Sequence, residues 1–297
     1  REEIMHFQMP KDEKQPWHRQ FRVCCKRYLK KVLRTRAKVY SLLAVAAVLG
    51  LVCGGMYGDV HSRNDIFIYF LLFNTFFGSI VATATIQTLG TKGLDGDFFK
   101  HEALSGVFQT AECCARLLID LFTLIGLAPV FVLILGSVSV MPIKPLLQTW
   151  LLLTWALSPI GYVGSLVAPS NADVLTSGVT FVICAFTTGF FGVRAADLSD
   201  TANALLDLSP GRQSFFMIAF GTALEFPHSP DSAFIYSQLL KEGLLPNDKV
   251  SVSRYESSDI DWFRKGANTM IVFGFVLRLI ALVNFWIRAN INLSGEW

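Results

Sequence analysis

The chain has 297 residues, of which 52% are hydrophobic and 16% charged, with a formal net charge of +3. Its mean hydropathy is +0.45, whereas a soluble domain usually carries about 25% charged residues. Because the apolar residues come in long blocks rather than amphipathic fragments, this composition excludes an ordinary soluble enzyme or a free nucleic-acid-binding domain.

The first residues, from Arg1 through about 38, are too charged to contain the apolar core of a secretory signal. Since the chain opens on Arg1 rather than Met, residues 1–15 are expected to be a linker from a domain upstream in a longer product. Residues 11–38 then hold Lys11, Lys14, Arg19, Arg22, Lys26, Arg27, Lys30, Lys31, Arg34, Arg36 and Lys38 against only Asp12 and Glu13. Within this run Trp17, Phe21, Cys24, Tyr28 and Val32 recur at three- and four-residue steps. The spacing predicts a helix over 16–36 with one apolar face and a basic remainder, the pattern of a helix lying in the headgroup layer. A plain basic flank that stops transfer is the simpler alternative. Nucleic-acid binding fits poorly, because the helix runs straight into an apolar block.

Six blocks follow at about 39–57, 66–88, 117–140, 146–168, 173–193 and 267–288, each near the roughly 20 residues that a bilayer core demands of a helix. Strands of that length would have to alternate polar and apolar residues in a closed barrel, and these do not. The expectation is an all-α, multi-pass integral membrane protein with six transmembrane helices. The basic N-terminal segment places both termini on the cytoplasmic side. It leaves the short 58–65 and 141–145 loops outside and the 90–116 loop inside. The 194–266 segment becomes a large outer loop, in which 212–226 is apolar enough to re-enter the membrane.

Between the second and third blocks, "FFKHEALSGVFQTAECCARLLIDL" (98–121) opens polar, breaks at Ser105-Gly106 and turns apolar while keeping Glu112, Arg116 and Asp120. "HEALS" begins like a zinc-protease H-E-x-x-H, but Ser105 stands where the second His would be. Neither G-x-S-x-G nor G-x-x-x-x-G-K-[ST] occurs. No catalytic residue, metal site or cofactor is therefore expected in this chain. The cysteines Cys24, Cys25, Cys53, Cys113, Cys114 and Cys184 fall in cytoplasmic or intramembrane positions, so no disulfide framework is expected in the outer loop. Two charges inside the blocks are functional candidates by default. Asp120 sits near the cytoplasmic end of the third, and Arg278 near the middle of the sixth. Arg278 is expected either to face the bundle and pair with a carboxylate or helix-end carbonyls, or to snorkel to an interface.

The order of these pieces resembles the membrane half of ABC transporters of the G subfamily (the White and breast-cancer-resistance-protein group), over nearly all of 16–297. "FKHEALSGVFQTAECCARLLIDL" is similar to that family's elbow between spans two and three. "FNTFFGSIVATATIQTLG" (73–90) is similar to its second span, "FTTGFFGV" (186–193) to the end of its fifth, and "LSPGRQSFFMIAF" (208–220) to the segment opening the re-entrant part of its outer loop. The resemblance implies a connecting helix at 16–36 and a coupling elbow at 98–106, where Phe99, His101, Glu102, Ser105 and Gly106 would meet a nucleotide-binding domain. It implies a substrate cavity lined by Phe73, Asn74, Phe77, Val182 and Phe186 and an exit gate at Phe190 and Phe191. ATP and Mg would be bound in that other domain, upstream in the same polypeptide or on a separate subunit. A second membrane half, identical or not, would complete a dimer that exports lipid-like or amphipathic molecules by alternating access. Three departures stand out: these residues include no nucleotide-binding domain, the outer loop lacks cysteines, and phenylalanine replaces leucine at the gate. A six-span channel or a non-transporting membrane scaffold is the alternative from another class.

Overall fold

The computed structural model describes residues 16–34, 36–58, 66–89, 108–139, 141, 143–168, 171–188, 199–225 and 255–294. Ten α-helices are seen among them: α1 (Trp17–Arg34), α2 (Arg36–Gly58), α3 (Ile66–Leu89), α4 (Gln109–Ile125), α5 (Leu127–Val138), α6 (Ile143–Val167), α7 (Ala172–Cys184), α8 (Asp200–Asp207), α9 (Pro210–Glu225) and α10 (Tyr255–Ser294). A short 3-10 turn, Phe186–Thr188, continues α7.

Four stretches of described residues are long and apolar enough to cross a membrane: Val39–Met56, Thr110–Val138, Ile143–Ser165 and Phe263–Asn284. Shorter apolar segments occupy Phe70–Thr85 and Ala172–Thr188. These six segments fall on the six blocks expected from the sequence. The second stretch joins α4 to α5 through Gly126 and holds 29 residues, about 43 Å at the helical rise. That exceeds a bilayer core of about 30 Å, so its charged first turns, with Glu112 and Arg116, have room to stand outside the hydrocarbon.

Lipid tails are as apolar as Leu, so burying apolar surface does little to hold such helices together, and close packing must do it. At the centre Phe77 of α3, Phe131 of α5 and Trp150 of α6 meet with ring centroids 5.2, 5.7 and 4.7 Å apart. All three are fully buried. Around this trio α3 packs on α6 and α7, α2 on α5, and α10 on α6 and α9. The α2–α5 contact uses Gly50 and Gly54, a G-x-x-x-G pair. A Cβ added at Gly50 would lie 2.9 Å from the Phe131 carbonyl oxygen, and one at Gly54 3.1 Å from that of Leu135. On α3, a Cβ at Gly78 would lie 2.8 Å from Leu157 and 2.9 Å from the Cys184 sulfur.

The apolar stripe of α1 lies on the start of α4. Trp17 donates to the Thr110 hydroxyl at 3.1 Å and stacks on Phe21, Cys24 is buried, and Gln20 caps the Phe108 backbone N–H at 2.6 Å.

Candidate functional site

The residues expected to line a cavity fall into two settings. Phe73, Asn74 and Phe77 face into the bundle, each at most 1% exposed, while Val182 and Phe186 are about half exposed. The structure thus brings the first three together with α5 and α6, and leaves the other two on an outer face of α7 beside Phe181, whose ring centroid is 5.8 Å from that of Phe186. Asn74 Oδ1 accepts from the Trp150 indole N–H at 3.1 Å. Its Nδ2 has no hydrogen-bond partner among the described residues, nor have the hydroxyls of Thr176 and Thr180 on the buried side of α7. An amide half-satisfied inside an apolar bundle is costly, about 1–3 kcal/mol for a buried unpaired group. A site able to hydrogen-bond something else commonly accounts for such a cost.

The expected elbow residues Phe99, His101, Glu102, Ser105 and Gly106 and the gate residues Phe190 and Phe191 lie outside the described residues. The helix that follows the elbow is described, and it carries a feature the sequence reading missed. Glu112 and Arg116, 1% and 7% exposed, pair one turn apart on α4. Tyr28 of α1 donates its hydroxyl to Glu112 Oε1 at 2.5 Å and accepts from Arg116 Nε. Arg27 adds a longer ion pair to Glu112 at 3.5 Å. Burial pushes the Tyr28 phenol well above its ordinary range; the Arg116 charge works against that rise and Glu112 adds to it, so the hydroxyl stays protonated and keeps donating. Removing one member of a buried pair leaves the other charge uncompensated, at about 3–5 kcal/mol. The clamp therefore fixes α1 to the first turns of α4. Its sequence signal was the Glu-to-Arg spacing of four residues, the favourable order on a helix.

The two intramembrane charges find partners. Asp120 accepts from the Tyr162 hydroxyl at 2.8 Å. Arg278 meets two backbone carbonyls inside helices, not at helix ends. Pro159 lies inside α6, so the Trp155 carbonyl, four residues earlier, loses its intrahelical N–H. Arg278 Nη1 donates to that carbonyl at 2.8 Å and to Gly274 O at 2.9 Å, and Nη2 donates to the Ser158 hydroxyl at 2.8 Å. The guanidinium also covers the Trp155 ring, 3.7 Å from its centroid, and the Trp155 indole N–H returns a bond to the Ile271 carbonyl at 3.1 Å.

At the other end of α7, the first turn of α9 is pressed against it. A Cβ at Gly211 would collide with the Ile183 carbonyl, so only glycine permits this approach. Asp207 of α8 ties the group together, pairing with Arg212 Nε at 3.3 Å and Lys265 Nζ of α10 at 3.0 Å. Its carbonyl accepts from Gln213 Nε2 at 2.6 Å.

Residues 19–212, from α1 to the opening of α9, match the family described as ABC-2 type transporter. The chain belongs to the ABC-2 type transporter family. It is an integral membrane protein and supplies the membrane part of an ABC-type transporter. ABC-2 domains generally pair with nucleotide-binding domains and dimerise. A search of curated proteins returns no match.

Proposed function

We propose that this ABC-2 domain is the membrane half of an ATP-driven exporter of the G type, moving lipid-like or amphipathic molecules by alternating access. ATP and Mg act in a nucleotide-binding domain that these residues do not form. Six spans, both termini cytoplasmic and a partly re-entrant outer loop complete the proposed topology. The observation that carries the substrate reading is Asn74, a single amide with an unpaired Nδ2 among Phe73, Phe77 and Trp150. Apolar walls with one or few polar fixers suit ligands that are mostly hydrocarbon. In this reading α3 and α7 shift during the cycle, so that Asn74 exchanges its internal environment for the substrate's acceptor, while Val182 and Phe186 line the cavity against the second half. Phe190 and Phe191 form the exit, and Phe99, His101, Glu102, Ser105 and Gly106 receive the push from the ATPase domain.

The α1–α4 clamp gives that push a rigid target. Because Tyr28, Glu112 and Arg116 lock two helices at the cytoplasmic edge, a displacement of the elbow would reach α4 as a tilt instead of being lost in local bending. The test is ATP-dependent movement of fluorescent phospholipid analogues by the complete transporter in proteoliposomes. Phe186→Ala should change the ratio of rates for two analogues without changing abundance, because this side chain is half exposed. Unchanged ratios for both Phe186→Ala and Asn74→Ala would remove the cavity assignment, and movement independent of ATP would remove the exporter.

A further inference from the structure

We infer that the corner where α8, α9 and α10 meet is an oxyanion site, built on Arg212 and Lys265 and suited to the acidic headgroup of an amphiphile. The inference uses the membrane reading of the chain but not the exporter reading, and it concerns other elements than those around Asn74.

Arg212 differs from the other guanidiniums drawn into the bundle. Arg116 is taken up by Glu112 and Tyr28, and Arg278 directs its terminal nitrogens at two carbonyls and the Ser158 hydroxyl. Arg212 is only 4% exposed, yet its Nη1 has no hydrogen-bond partner among the described residues. Its Nε has only the 3.3 Å ion pair to Asp207 Oδ1. Asp207 is shared, because its other carboxylate oxygen accepts from Lys265 Nζ at 3.0 Å. Beside the guanidinium lies the buried Phe216 ring, 5.6 Å from Cζ to centroid, which offers a π-face but no carbonyl or carboxylate. A residue that served only to pin α9 to α8 would aim its donors at acceptors, as Arg278 does. A planar fork with an unused donor edge is what pairs with a carboxylate or phosphate.

The backbone adds to the same preference. Arg212 stands in the first turn of α9, a helix of 16 residues with no acidic residue in that turn, where the helix dipole favours an anion. Ser209 precedes that turn in the capping position, but its hydroxyl is engaged with the Ile183 carbonyl at 3.2 Å and with Thr187 at 2.6 Å.

Depth and access name the ligand class. The apolar span of α10 begins at Phe263 and Lys265 lies in its first turn, so the cluster stands at the edge of the hydrocarbon, where the polar ends of amphiphiles sit. The Asp207 and Lys265 side chains are partly exposed, which opens the corner to a headgroup. At 100° per residue, Val272, Val276, Leu279 and Val283 continue the stripe that starts at Lys265, and all four are exposed. A headgroup on Arg212 and Lys265 would therefore have an apolar lane beneath it for its tail.

The experiment uses the complete transporter in detergent, without ATP, and a photoactivatable phosphatidylglycerol whose diazirine lies early in the acyl chain. The matched phosphatidylcholine probe, whose choline brings a further cation to the corner, is the control, and labelled peptides are mapped by mass spectrometry. Peptides from 199–225 and 263–283 should be labelled about tenfold more by the glycerol probe, as one charge-assisted pair would give. Lys265→Gln should lower that labelling about threefold. Arg212→Gln should lower it at least about tenfold, with only partial rescue by Arg212→Lys, which lacks the planar fork. Competition on the unaltered protein separates the sources: displacement by unlabelled phosphatidylglycerol alone assigns the site to a lipid headgroup, and displacement by inorganic phosphate as well assigns it to oxyanions generally, both supporting the site. Equal labelling by the two probes, or glycerol-probe labelling that both glutamine variants leave unchanged, would overturn the inference. Lys265 is half exposed, so Lys265→Gln and the competition keep the test decisive even where Arg212→Gln does not fold. None of these outcomes depends on ATP hydrolysis, so failure here and failure of the exporter reading remain distinguishable.

Discussion

Arg278 and Pro159 lie 119 positions apart in the sequence, yet the structure makes them two halves of one local arrangement, and this can be measured. Replacing Arg278 with Leu removes an ion whose burial in a span costs about 2.5–3.5 kcal/mol. It also leaves the Trp155 carbonyl without the 2.8 Å donor that stands in for the missing proline N–H, at about 1–3 kcal/mol. The cation over the Trp155 ring is lost as well, worth about 0.5–2 kcal/mol. These terms nearly cancel, so the single variant decides nothing. The decisive perturbation is the cycle with Pro159→Ala, which restores an N–H to α6 and gives the Trp155 carbonyl an intrahelical partner. Without that N–H, Arg278→Leu leaves the carbonyl only the Ser158 hydroxyl at 3.4 Å; with it the carbonyl no longer depends on Arg278, so the two substitutions should couple by up to about 1–3 kcal/mol. Unfolding equilibria of wild type, both single variants and the double variant in mixed micelles give the number. Effects that add to within about 0.5 kcal/mol would refute the assignment of Arg278 as the partner of the proline-broken turn.

Other expectations follow the same reasoning. Glu112→Ala strands the Arg116 charge against α1 and should destabilise the protein by about 3–5 kcal/mol, whereas Tyr28→Phe, which removes one hydroxyl from the clamp, should cost about 1–2 kcal/mol; thermal unfolding in detergent ranks the two, and the opposite order would contradict the clamp's arrangement. Gly78→Ala forces a methyl to within 2.8 Å of Leu157 and 2.9 Å of Cys184 and should cost about 1–3 kcal/mol of overpacking, while Gly55→Ala, with nothing within 4 Å of its added Cβ, should be close to neutral; folded yield compares them. Gly211→Ala should lower the yield of folded protein more than Gly78→Ala, because the atom it meets is the Ile183 backbone and not a side chain that can rotate.

What the sequence made legible, and what it did not, has a physical pattern. The apolar blocks were readable because a bilayer sets their length, and length survives in one dimension; α2, α3, α6, α7 and α10 lie on them. The stripe Trp17, Phe21, Cys24, Tyr28 and Val32 correctly announced a helix, but periodicity states only that a face is apolar and not what covers it. Among the described residues, α4 lies against it. Glu112 and Arg116 stand a four-residue step apart, a signal the sequence reading passed over, and Tyr28 joins them from 84 positions away, a relation no local pattern carries. Arg278 stood out as a charge in an apolar span, but Pro159 went unremarked, and only the crossing of α6 and α10 makes one the remedy for the other. Asn74 was visible as an amide in hydrocarbon. That Trp150 satisfies its oxygen and leaves its nitrogen open depends on the packing of α3 against α6.

The account stands most directly on ATP dependence. The complete transporter should be isolated from its native membrane with an antibody raised to residues 231–261, reconstituted, and assayed in one preparation for vanadate-sensitive ATP hydrolysis and for movement of an amphipathic fluorescent lipid. The account predicts that hydrolysis accompanies the isolated protein and that lipid movement stops when ATP is withheld. Ion current or lipid movement that persists without ATP, in a preparation devoid of ATPase activity, would contradict it.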